Sequence, residues 1–68
     1  MKIKYGIEKN NIDITEICLS KLKNKNIIEI PLNKNNIFTD PCPNILKKIF
    51  VITKNKTQQF CESDVINI

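Results

Sequence analysis

The sequence predicts an all-β domain: a small antiparallel sandwich or partly open barrel of five to seven short strands, with one short helical turn near residues 15–22. Three observations lead there. Residues 1–7 and 11–15 alternate apolar and polar with the two-residue period of half-buried strands. Short isoleucine-rich runs recur between clusters of asparagine, lysine and proline, the punctuation of an antiparallel fold. A proline-locked loop, Phe38-Thr39-Asp40-Pro41-Cys42-Pro43-Asn44, then leads straight into a run from Ile45 to Ile52 that is apolar on both faces.

Taken in order, Met1–Ile7 turns Ile3, Tyr5 and Ile7 to one side and Lys2 and Lys4 to the other, with Gly6 permitting a bend or bulge near its end. Glu8–Asn11 reads as a polar turn, and residues 11–15 pair back as a hairpin with Ile12 and Ile14 inward. Ile14, Ile17, Cys18 and Leu22 recur at helical spacing, so Thr15 is placed to cap one or two helical turns. Residues 21–26 form a charged connection. Asn26–Pro31 is a strand ended by Pro31, which has no N–H to donate.

Asn33-Lys34-Asn35-Asn36 reads as a turn or loop, because asparagine competes locally for backbone hydrogen bonds. Ile37 and Phe38 return to the core, and Pro41 and Pro43 hold residues 40–44 extended or tightly turned. Leu46–Lys54 is expected to be the longest strand, with Ile49 and Val51 on one face and Leu46, Phe50 and Ile52 on the other, covered on both. Lys54-Asn55-Lys56 forms a hairpin tip. Thr57–Cys61 and Val65–Ile68 are the last strands.

The chain's 68 residues make one domain. A chain of this length buries only about 60% of its unfolded surface and is marginally stable alone. Three cysteines, Cys18, Cys42 and Cys61, are an odd number without CxxC spacing, and histidine is absent, so neither disulfides nor a usual zinc site is expected. Reduced thiols and the lack of a signal peptide or apolar span point to a reducing intracellular compartment and no membrane. Eleven lysines, 14 isoleucines and 10 asparagines, without arginine, follow AT-rich codons. That bias suits a large AT-rich DNA virus or its mobile element, and it accounts for part of the +4 charge.

No catalytic, cofactor-binding or metal residue stands out. Asp13 and Asp40 precede threonine and proline, where an aspartate accepts backbone N–H bonds and shapes a turn. A nucleophilic cysteine needs a base or cation to hold its thiolate, and no histidine can serve. Cys42, on the proline loop, is expected to be the thiol most open to oxidation. Lys21, Lys23, Lys25, Lys47 and Lys48 could form a basic face for polyanions, with Tyr5, Phe38, Phe50 and Phe60 as the rings available for base stacking. Arginine, the best phosphate fork, is missing.

In order, Ile3-Lys4-Tyr5-Gly6, Ile12-Asp13-Ile14-Thr15, Phe38 to Asn44, Lys47-Lys48-Ile49-Phe50-Val51 and Asp64-Val65-Ile66-Asn67-Ile68 span nearly the whole chain. This succession resembles the small domain that closes a mitochondrial DnaJ-like J-protein, and related short modules of bacteria and giant viruses that stand alone or join sugar- and methyl-transferring enzymes. Asn44 departs from the glycine often found there, but asparagine is the next best residue for positive φ. The resemblance implies a β-rich accessory domain and carries over no catalytic residue.

The sequence therefore leads to a non-catalytic interaction or assembly module. Leu46, Phe50 and Ile52 need a second cover, which either residues 15–25 or a second copy in a dimer would supply; another protein partner is also compatible. The alternative is non-specific nucleic-acid binding through the lysines, and a weaker one, resting on the resemblance, is a carbohydrate-associated module.

Overall fold

The computed structural model describes residues 1–68. The strands are β1 (Lys2–Ile7), β2 (Asn10–Asp13), β3 (Lys23–Asn24), β4 (Ile27–Ile30), β5 (Lys48–Ile52), β6 (Thr57–Cys61) and β7 (Ile66–Asn67). Two helical pieces interrupt them: α1 (Thr15–Ile17), which runs on as a wider π-helical segment (Cys18–Leu22), and α2 (Lys34–Phe38). All pairings are antiparallel, in a four-stranded sheet of order β2-β1-β5-β6 and a three-stranded sheet of order β3-β4-β7.

The two-residue period decides what each strand buries. Ile3 and Tyr5 of β1 and Ile49 and Val51 of β5 face inward, where they meet Ile28 and Ile30 of β4 and Ile66 of β7. Ile14, Cys18 and Phe38 complete the core. Each such side chain taken fully out of water is worth roughly 1.5–3 kcal/mol. Ile28 and Ile68 exchange backbone hydrogen bonds of 2.9 and 3.0 Å, which tie the last residue to β4.

The first hairpin follows the expected pattern, with Tyr5 opposite Ile12 and Gly6 opposite Asn11. Gly6 is required there. Its φ is +144°, and a Cβ would stand 2.3 Å from the Asn10 carbonyl oxygen. The Asn11 carboxamide closes the turn by donating to the carbonyls of Ile7 and Glu8. Asp13 accepts the Thr15 N–H at 2.9 Å, as a turn-forming aspartate should. Thr15, expected as a cap, instead accepts the Ile3 N–H on its hydroxyl at 2.8 Å and pins the helix start to β1.

Several expectations are corrected. Residues 21–26 are not merely a connection, since Lys23 and Asn24 pair with Ile28 and Ile27. The asparagine-rich segment is not a loop but α2: Phe38 packs on Tyr5 at a ring separation of 5.6 Å, and Lys34 is held by three carbonyls, so tertiary contacts override weak helix propensity. β5 is shorter than expected and excludes Leu46; the longest strand is β1. Residues 15–22 start against β1 and run beside β4 and β3, with Ile17 and Leu22 packed on the core, and do not shelter the outer face of the four-stranded sheet. Cys42 is buried, its Sγ donating to the Asn10 carbonyl at 3.3 Å, so Cys61 is the more accessible thiol.

Candidate interaction surface

β5 runs through the middle of the four-stranded sheet, and its outer face carries Lys48, Phe50 and Ile52. The register sets Phe50 between Lys4 and Gln59, and Ile52 between Lys2 and Thr57. Neighbouring side chains leave Phe50 and Ile52 half-buried, while Leu46, just before the strand, is 70% exposed. A shallow hollow of about 210 Å³ brings Leu46 and Phe50 together, and a second of about 200 Å³ joins Phe50 to Ile52. The three residues singled out from the sequence thus lie along one continuous surface.

Leu46 also borders a larger open groove of about 620 Å³, lined by Leu32 and Ile45 together with Asn35, Asp40 and Glu62. Its polar residues are organised by Lys47, which is 2% exposed. The Lys47 ammonium lies 3.0 Å from Asp40 and 3.6 Å from Glu62, and it donates to the carbonyls of Cys42 and Ile45 at 3.1 and 2.7 Å. Asp40 also accepts the Cys42 N–H, the turn-shaping bond its place before Pro41 predicts. Glu62 accepts the Lys47 N–H at 2.7 Å on one oxygen and faces the Tyr5 hydroxyl at 3.1 Å on the other. That hydroxyl also donates to Asn35 at 2.5 Å. Burial, followed by the Glu62 carboxylate, raises the Tyr5 phenol well above its ordinary pKa, because ionisation would put a second negative charge beside the first.

Lys34 is the second buried lysine, 1% exposed. Its three ammonium hydrogens meet the carbonyls of Pro31, Glu62 and Asp64 at 2.9, 2.7 and 2.6 Å. Desolvation lowers its pKa, while Glu62 and Asp64 oppose that shift. No buried side-chain nitrogen or oxygen lacks a partner. Neither Lys34 nor Glu62 was singled out by sequence reasoning. A lysine followed by Asn35-Asn36 and a glutamate after Cys61 look like solvated polar residues, and no local pattern marks them as core ties.

The predicted basic face does not assemble as expected. Lys47 is internal and occupied by carboxylates and carbonyls, so it is withdrawn from any polyanion surface. Lys21, Lys23 and Lys25 are exposed at the helix end, on β3 and in the turn that follows it. Lys48 instead stands on the outer face of the other sheet, donating to Gln59 at 3.1 Å. Tyr5 and Phe38 are sealed in the core and Phe60 packs against it, which leaves Phe50 as the ring on the outer face. Among the thiols, burial pushes Cys18 up to about 11, whereas the Ser63 hydroxyl beside Cys61 lowers that thiol.

No protein-family model, no curated protein and no solved structure matches the chain.

Proposed function

We propose that the protein is a non-catalytic assembly module that associates with copies of itself, using the outer side of its four-stranded sheet. The observation that carries this reading is the outer-face run of exposed Leu46 with half-buried Phe50 and Ile52. A chain of this size gains little from its own core, and each apolar side chain buried fully against a second copy contributes roughly 1.5–3 kcal/mol. Light scattering across a dilution series tests it: a mass that falls with dilution supports association, and a monomer at every concentration removes it.

One observation favours a second reading, polyanion binding. Lys2, Lys4 and Lys48 surround Phe50 on the same face, a small basic platform with one ring. Retardation of single-stranded nucleic acid that weakens with salt would support it. A lack of retardation at low salt would leave assembly alone.

A further inference from the structure

The two rims of the four-stranded sheet are treated very differently by the fold. On the β2 side the rim is guarded. The Asn10 carboxamide donates to the Pro41 carbonyl at 2.8 Å, Cys42 Sγ caps the Asn10 carbonyl, and the strand ends on charged Asp13. β3 and β7, the rims of the other sheet, are two residues long. β6 is five residues, Thr57-Gln58-Gln59-Phe60-Cys61, with no charge and no proline. Short length, charge, proline or a covering loop are the usual protections of an edge, and β6 has none of them.

The hydrogen-bond pattern shows which of its backbone groups are free. Thr53 donates to Lys56 at 2.9 Å and Glu62 to Lys47 at 3.2 Å, so Lys56, Gln58, Phe60 and Glu62 turn their backbone groups toward β5. Thr57, Gln59 and Cys61 therefore turn theirs outward. One outward group is already used: the Cys61 carbonyl accepts the Asp64 N–H at 3.1 Å.

We propose that β6 is the seat of a second copy of this chain, whose own β6 pairs with it antiparallel about a two-fold axis at Gln59. Resting on the self-association of the reading above but not on its outer-face contact, the pairing joins two four-stranded sheets edge to edge. Each Gln59 exchanges both backbone bonds with its equivalent, and each Cys61 N–H meets the Thr57 carbonyl of the other copy. The Thr57 N–H faces the second lone pair of the Cys61 carbonyl. The paired residues 57–61 carry no charge, so two chains of charge +4 set no like charges against one another along the seam. The outer faces bearing Phe50 and Ile52 then become neighbours on one larger surface.

Cysteine trapping and edge variants test the register. In Thr57→Cys the introduced thiol stands about 13 Å from Cys61 of its own chain, four strand residues away, which is too far for a disulfide. Across the proposed axis the two positions lie about 5.5 Å apart between Cα atoms, within disulfide range. Mild oxidation should give a dimer whose peptide map joins the introduced cysteine of one copy to Cys61 of the other. Gln59→Pro deletes the outward N–H at the axis, and Gln59→Lys sets two like charges face to face without touching the backbone. Each should raise the concentration needed for dimer formation at least about tenfold, with the circular dichroism of the monomer unchanged for Gln59→Lys. If the wild type associates but Gln59→Lys associates equally well, or Thr57→Cys fails to cross-link, edge pairing is wrong and assembly through another surface stands. If the wild type is monomeric throughout, both readings fall.

Discussion

Lys47 and Glu62 hold one another at three points. The Lys47 backbone N–H donates to the Glu62 carboxylate at 2.7 Å, the Glu62 N–H returns a bond to the Lys47 carbonyl at 3.2 Å, and the ammonium lies 3.6 Å from the same carboxylate. This clasp joins the entry of β5 to the exit of β6. It also directs Lys47 inward, so that Leu46 beside it projects into solvent.

The first prediction concerns that clasp. Lys47→Ala removes the cation shared by Asp40 and Glu62, whose side chains are 32% and 19% exposed, and should destabilise the fold by roughly 3 kcal/mol in urea unfolding. Lys48→Ala, at an exposed neighbour, should change stability by less than about 0.5 kcal/mol. Equal effects would contradict the internal role of Lys47.

Lys34→Met should cost about 3 kcal/mol, because the carbonyls of Pro31, Glu62 and Asp64 lose their donor together. A thermal melt or urea titration reads the loss. A variant as stable as the parent would mean that those carbonyls find other donors.

Tyr5 is the only tyrosine and tryptophan is absent, so phenolate absorbance reports on it alone. Its pKa is raised in the fold, so above pH 10 the native state retains a proton that the unfolded chain gives up. The stabilisation it contributes is fully present below pH 10 and is lost as pH rises through the folded value. Lys34 acts in the opposite sense: its pKa is lowered, so stability rises with pH from its folded value toward 10.5. Absorbance should rise near pH 10 in denaturant and only at higher pH in buffer. Tyr5→Phe should remove the alkaline loss of stability that Tyr5 causes, at a cost of about 0.5–1.5 kcal/mol at neutral pH for the lost hydrogen bond to Asn35.

Backbone conformation makes a paired prediction of opposite sign. Gly6→Ala forces a Cβ against the Asn10 carbonyl and should cost roughly 2 kcal/mol or more. Thr39 holds φ +80° and ψ 171°, a region suited to glycine, so Thr39→Gly should stabilise by about 1 kcal/mol. Denaturant midpoints decide both.

Local pattern was enough wherever a physical cause acts over a few residues. Alternation around Ile3 and Tyr5, and around Ile49 and Val51, identified the inward faces, since the period of two leaves a strand no other way to bury them. Positive φ at Asn44, at +64°, and the turn bonds of Asp13 and Asp40 followed from side chains that bond their own backbone. Leu46, Phe50 and Ile52 were likewise legible as one outer surface.

What the sequence could determine by itself was a β domain, its inner faces and an apolar surplus on β5. Only tertiary structure decided that Lys34 and Lys47 turn inward, that an asparagine-rich stretch coils into α2, and that β6 rather than β2 is left unguarded. Those outcomes depend on partners 15 or more residues away, such as Glu62 for Lys47 and Asp64 for Lys34. Lysine's long flexible stem looks the same in sequence whether its ammonium ends in water or among carbonyls.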